Sequence, residues 1–247
     1  MKLYTTIQLG QFHPIFCEDF LFYQQIHPQW LIAAVFDGCS SGKDSHFAAS
    51  LMGKCLKMIC KRLPYQNLLQ VDFNLERISS DKLGKFILKQ LFQSIQKQQN
   101  DLHLDQLELL ATTLLLVVNI HKQEAWVNAS GDGLIATQDS ILTLDQNDRP
   151  NYLAYYLQKN VEEWMDQETS SYQFATVSDI SIATDGIFSF AKNTKEAVNG
   201  INPIDYLLIN RDFSNQANML DRKCNLLGTE YQLFPNDDVS IIRLIFD

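Results

Sequence analysis

Residues 107–143 read LELLATTLLLVVNIHKQEAWVNASGDGLIATQDSILT, and the order of apolar runs and breaks within them decides the fold class. Leu107–Ile120 is rich in Leu and Val and reads as a strand. After a polar break at His121–Gln123, Glu124–Ala129 forms a second β-type run. Leu134–Thr137 and Ser140–Thr143 follow as short strands with turn residues between them. Connections this short make antiparallel neighbours, because a parallel partner needs a long crossover.

Working outward, the N-terminal part holds three more β-type runs, Leu3–Leu9, Phe20–Tyr23 and Trp30–Phe36. Ala48, Met52, Cys55 and Ile59 then recur at helical spacing, and Pro64 is expected to stop that helix. A second helix is predicted over Ser80–Gln98, with Leu83, Ile87, Leu91 and Ile95 as its stripe and Phe86 and Phe92 widening the apolar face. Downstream, Asn151–Met165 reads as a helix, and Phe174–Thr176 and Ile180–Thr184 as strands. Two short helices fit Pro203–Ile209 and Asn215–Leu226, and Val239–Phe246 is the terminal strand. Strand groups separated by paired helices argue against a doubly wound parallel sheet. The expectation is an α+β fold, two mainly antiparallel sheets packed on each other with helices outside. With no long Gly, Pro or Ser linker and no repeat at solenoid periods, residues 1–247 read as one domain.

Composition narrows the function classes. The chain has 247 residues, 46% hydrophobic and 20% charged, with a net charge of −9. Such a surface repels phosphate backbones and anionic lipid, so nucleic-acid and membrane partners are disfavoured. The N-terminus lacks an apolar core of signal-peptide length, and no apolar run is long enough to span a bilayer. The five cysteines have no CxxC spacing and read as reduced, mostly buried residues of a cytoplasmic protein.

The informative feature is where the acidic residues fall. Three apolar strands run directly into Asp-Gly: AAVFDG at Asp37, VNASGDG at Asp132 and SIATDG at Asp185. Asp237-Asp238 opens the last strand, and Glu18-Asp19 opens an early one. A single Asp-Gly between strands reads first as a hairpin turn, and Asp132 most of all, since strands flank it closely. Several adjacent carboxylates at strand ends are another matter, because they repel one another unless a cation relieves them. Magnesium and manganese take such oxygen ligands, and two ions about 3.5 to 4 Å apart can activate water and clamp a phosphoryl group. Cys-x5-Arg and GxxxxGK[ST] are both missing from the sequence.

Taken in order, Glu-Asp before an early strand, VFDG, a Thr-Thr strand, GD, TDG and a terminal DDVSII strand resemble the metal-dependent serine/threonine phosphatases of the protein phosphatase 2C family, in a divergent bacterial-type branch. The likeness runs from about Leu9 to Ile245. It implies a four-layer α-β-β-α sandwich and hydrolysis of phosphoserine and phosphothreonine esters by a hydroxide bridging two Mg²⁺ or Mn²⁺ ions. Asp37 would bridge the ions with help from the Gly38 carbonyl, and Asp185 and Asp237 would complete the catalytic set. Glu18 and Asp19 would act through water, and Asp132 would belong to a weaker third site. Thr113 would support from its strand, Asp238 would back the ligands, and Ser240 would be structural.

The departures from the family pattern are specific. Its phosphate-gripping arginine, four residues before the Glu-Asp pair, is Pro14 here, with His13 adjacent as a candidate phosphate ligand. Ser40-Ser41 replaces the usual Gly-Gly, and Ser189 stands where many members have another aspartate, which argues against a third ion. The resemblance further implies phosphoprotein substrates, opposition to a serine/threonine kinase and a monomer. Two alternatives stay open: a catalytically weak phosphoprotein-binding or regulatory member, or a phosphohydrolase of small molecules. The basic residues Lys54, Lys57, Lys61 and Arg62 read as the solvent face of one helix.

Overall fold

The computed structural model describes residues 1–13, 15–69, 73–144, 150–167, 169–192 and 200–246. Pro14 and Asp145 lie outside them. In chain order the elements are β1 (Lys2–Gln8), β2 (Asp19–His27), β3 (Trp30–Gly38), α1 (Ser45–Leu69), α2 (Ser80–Leu102), β4 (Ala111–Asn119), β5 (Glu124–Ser130), β6 (Gly133–Thr137), β7 (Ile141–Leu144), α3 (Val161–Gln167), β8 (Ser170–Phe174), β9 (Asp179–Ala183), β10 (Phe190–Lys192), α4 (Pro203–Leu208), α5 (Met219–Tyr231), β11 (Leu233–Pro235) and β12 (Val239–Ile245). One antiparallel sheet has the order β2-β3-β4-β5-β8, the other β1-β12-β9-β6-β7, and β10-β11 form a small ribbon.

The expected four layers are present. In β3, Trp30, Ile32, Ala34 and Phe36 pack under α1 and α2. The alternate residues Leu31, Ala33 and Val35 pack against Ile180, Ile182, Ile242 and Leu244 of the opposite sheet. A strand buried on both faces reads as a continuous apolar run rather than an alternating one, which is why WLIAAVF and LLLVV look as they do. On the far side, α4 and α5 cover Leu134, Ala183, Val239 and Ile241 with Leu207, Met219, Leu220 and Leu227.

Several boundaries differ from expectation, each for a physical reason. Helix α1 continues through Pro64, because Cys60 and Leu63 keep its inner face buried and packing outweighs the lost backbone bond. The helix expected over Asn151–Met165 is instead a 3₁₀ turn at Leu153–Tyr156 followed by α3. There the Asn160 side chain accepts from the Glu162 amide (2.8 Å) and caps the new start. The first residues of Leu107–Ile120 form a 3₁₀ turn, held by a reciprocal cap between Asp105 and Glu108. Strand β8 ends at Phe174, where Phe174–Thr176 was expected to begin a strand, since Ser170–Phe174 pairs with β5 along its length. The SGDG turn is not a hairpin, because β5 and β6 belong to different sheets. Gly131 makes that passage at φ +107°, and a Cβ there would meet the Thr112 hydroxyl at 2.3 Å.

A buried cation of α5 fastens the end of α4. Lys223, wholly buried, donates to the carbonyls of Tyr206 (2.7 Å) and Asn210. Burial, then the Arg243 charge, lowers its pKa from the usual 10.5 to about 8. The folded protein thus releases this proton before the unfolded chain does. The cost of burying the charge is full below about pH 8 and is relieved as pH rises toward 10.5. Thermal melts of wild type minus Lys223→Met are expected to show a difference that grows with pH across that window, and a flat difference would exclude it.

Candidate active site

Strand pairing brings the sequence-distant carboxylates to one rim of the sandwich. Asp37, near the end of β3, stands opposite Asp19 at the start of β2 and opposite Thr112 of β4. The Gly38 amide donates to the Glu18 carbonyl (3.0 Å), continuing that pairing past the strand. From the facing sheet, Asp185 opens a 3₁₀ turn directly after β9, and Asp237-Asp238 precede β12. Thr184 closes the gap between the layers. Its hydroxyl donates to Asp19 Oδ2 (2.8 Å) and accepts from the Ser240 amide (2.9 Å).

Asp238, almost fully buried, organises the N-terminal loop. Its Oδ1 accepts from the Gly10 amide (2.7 Å), and its Oδ2 accepts from the Glu18 amide (2.5 Å) and lies 3.0 Å from His13 Nδ1. The same histidine lies 3.4 Å from Asp237 Oδ1 and 3.9 Å from Glu18 Oε2. Ser40 donates to that Glu18 oxygen (2.8 Å). Ser189 accepts from the amides of Asn236 and Asp237 (3.1 and 3.0 Å) and donates to the Gly186 carbonyl (2.6 Å), which fixes how Asp237 is presented.

The electrostatics follow from this crowding. Burial, then the Asp19 and Asp185 charges, then Asp237, hold Asp37 well above the ordinary carboxylate range. Asp19 is pushed up to about 7, first by burial and then by Asp238 and Asp185, against the Thr184 hydrogen bond. Asp237 is raised by burial and by Asp185 and Asp238. Burial works to lower the pKa of His13, but its hydrogen bond to Asp238 and the Glu18, Asp238 and Asp237 charges outweigh that and raise it. These carboxylates are neighbours that cannot all ionise comfortably together.

The donor set suits a hard divalent cation: oxygen atoms throughout, and a buried Asp19 Oδ1 with no hydrogen-bond partner among the described residues. Among the described residues no three His, Cys, Asp or Glu side chains already form a closed chelating group. Asp132 is brought to the same side as Asp185. It lines a cavity of about 310 Å³ together with Asp185, Thr143, Leu144 and Phe188. Thr113 faces α1, its hydroxyl 3.3 Å from Met52 Sδ.

The sequence matches the family profile described as protein phosphatase 2C over residues 13–222. The chain belongs to the protein phosphatase 2C family. Among solved structures, a bacterial serine phosphatase aligns with TM-score 0.67 at 12% identity, covering 100% of this chain and 99% of its own. The serine/threonine phosphatase Stp1 from Staphylococcus aureus gives 0.62 at 13%, covering 99% and 94%. RsbX in complex with magnesium gives 0.55 at 14%, covering 98% and 94%. Among curated proteins no significant match is found. At these identities the structural likenesses establish the fold. Among the described residues no helix is long and apolar enough to cross a membrane.

Against the phosphatase 2C pattern, Thr184 is a contributor that residue spacing does not single out. Its only signal is a hydroxyl at the end of an apolar strand beside the Asp-Gly of TDG. Gly186 is another, since a Cβ there would stand 1.8 Å from the Asp238 carbonyl oxygen. Gly186→Ala is expected to push Asp185 and Asp238 apart, lowering metal-dependent turnover at least about tenfold, or about 1.4 kcal/mol. Turnover and a manganese titration of the variant check this, and unchanged values would show that the contact is slack.

Proposed function

We propose that the chain is a metal-dependent protein serine/threonine phosphatase, a single catalytic domain over 1–247 that acts as a monomer in the cytoplasm and opposes a serine/threonine kinase. The observation that carries this reading is the meeting of Asp19, Asp37, Asp185, Asp237 and Asp238 at one rim, where burial and crowding raise the carboxyls of Asp19, Asp37 and Asp237 and a buried oxygen of Asp19 has no hydrogen-bond partner among the described residues. Asp37 with the Gly38 carbonyl, Asp185 and Asp237 would hold two Mg²⁺ or Mn²⁺ ions. Glu18 and Asp19 would hold their waters, and Asp132 would approach from the Asp185 side. Bound there, the ions lower the pKa of an attacking water and neutralise phosphoryl charge. Likeness to a magnesium-bound relative supports the cofactor class.

The chain's own groups supply placement. Thr184 orients Asp19, Ser189 orients the Asp237 backbone, and Asp238 ties the N-terminal loop to β12. His13 lies 3.4 Å from Asp237 among carboxylates that favour its charged form, and so stands where a phosphate approaching Asp237 would meet it. The test is hydrolysis of p-nitrophenyl phosphate, a phosphoserine peptide and a nucleotide, with manganese, with magnesium and with chelator. Chelator-sensitive turnover favouring the phosphopeptide is expected. Binding of a phosphopeptide without turnover would identify a regulatory member instead, and preference for the nucleotide a small-molecule phosphohydrolase.

A further inference from the structure

The α1–α2 layer carries a charge opposite to that of the chain. Helices α1 and α2 hold eight lysine and arginine side chains against two aspartates, a net +6, while the whole chain is −9. Everything outside these two helices therefore carries −15. On α1 there is no acidic residue at all. Lys85 and Lys89 of α2 are paired, with Asp81 (3.1 Å) and Glu162. Lys54, Lys57, Lys61, Arg62 and Lys97 are exposed and have no ion-pair partner among the described residues. Lys54, Lys57 and Lys61 follow at spacings of three and four, so they face one another as like charges and destabilise the isolated helix.

Those cations border a concave surface. A groove of about 450 Å³ runs between the helices, with Lys54, Arg62 and Lys97 on its rim and Leu51, Met58 and Ile59 contributing apolar lining. Met58 is 49% exposed there. Lys54 to Arg62 spans about 12 Å of helix axis, the length of two helical turns of an occupant. An apolar lining with a cationic rim is complementary to a helix bearing leucines at i, i+4 and i+7 between glutamates. The concave shape and the −15 borne by the rest of the molecule disfavour a flat anionic membrane as the occupant.

We infer that the α1–α2 groove docks an acidic amphipathic helical segment of a partner protein. The test is fluorescence anisotropy with a labelled peptide carrying leucines at i, i+4 and i+7 flanked by glutamates, on the intact chain. Binding that weakens with added salt, and by about tenfold or more in Lys54→Glu/Arg62→Glu/Lys97→Glu, is expected. Met58→Ser, which adds no charge to the cationic rim, is expected to weaken it similarly, and melting curves verify that both variants fold. Absence of binding, or equal binding by both variants, overturns the inference. Equal binding of a peptide with serines for the leucines also overturns it, because charge alone then explains the contact. So does capture of phosphatidylserine vesicles, but not of the peptide, through the same residues.

Discussion

Asp37→Asn is expected to remove turnover by at least about a thousandfold, equivalent to about 4 kcal/mol of barrier, while leaving the fold intact. Asparagine keeps the shape, and the pairing of residue 37 with Asp19 and Thr112 is made through the main chain. The same change relieves a buried negative charge that Asp19, Asp185 and Asp237 oppose. Metal-free variant is therefore expected to melt above metal-free wild type, and manganese to raise the wild type's melting temperature more than the variant's. A pH series supplies a second readout. Asp19 and Asp37 have folded pKa values above the usual 3.8, Asp19 at about 7. The folded state thus holds protons that the unfolded chain releases, and metal-free stability declines as pH rises from about 4 to about 7. The variant is expected to decline less. Full turnover in Asp37→Asn, or a lower metal-free melting temperature, would refute the assignment.

The second large effect lies in the other sheet, on the face of β12 that α4 covers. Arg243, fully buried, donates from Nε to Asp179 Oδ1 (3.0 Å) and from Nη2 to Oδ2 (2.8 Å). Its remaining donors reach the carbonyls of Leu207, Ile209 and Asn210, each at 2.9 Å, closing the end of α4. Arg243→Met takes this donor from the Leu207 and Ile209 carbonyls, leaves the Asn210 carbonyl to Lys223, and leaves Asp179 with only the half-exposed Arg211 (3.1 Å). Breaking a buried pair from one side costs about 3–5 kcal/mol, which for a chain of this size lowers the melting temperature by about 10 °C. Arg243→Met with Asp179→Leu is expected to recover part of the loss. A single variant within 1 °C of wild type would show that the pair contributes little.

Much of the architecture was legible because each β-strand of the sandwich core carries its burial in its own residues. WLIAAVF and LLLVV could only be strands covered on both faces, and the Leu83–Ile95 stripe could only be a helix lying on one. What was not legible turned on competition between neighbours. Pro64 stops a helix in isolation but not one whose preceding turn is held in a core. Asn160 splits a helical pattern because its side chain offers a better cap than the pattern offers continuation. The basic face of α1 reads in sequence as ordinary solvated charge, and only its placement beside α2 reveals a groove.

The site divides the same way. The sequence by itself determined which residues carry the acidity, since a carboxylate followed by glycine at the end of an apolar run is a local property. It could not separate Asp132 in a hairpin from Asp132 at a passage between sheets, because both use the same φ-permissive glycines. Nor could it show that Thr184 and Ser189 hold Asp19 and the Asp237 backbone. Those facts belong to the stacking of one sheet on another, where residues 165 or 48 positions apart come within hydrogen-bond reach. Contact between distant chain segments is set by how the two apolar faces pack, and no short stretch of sequence contains both faces.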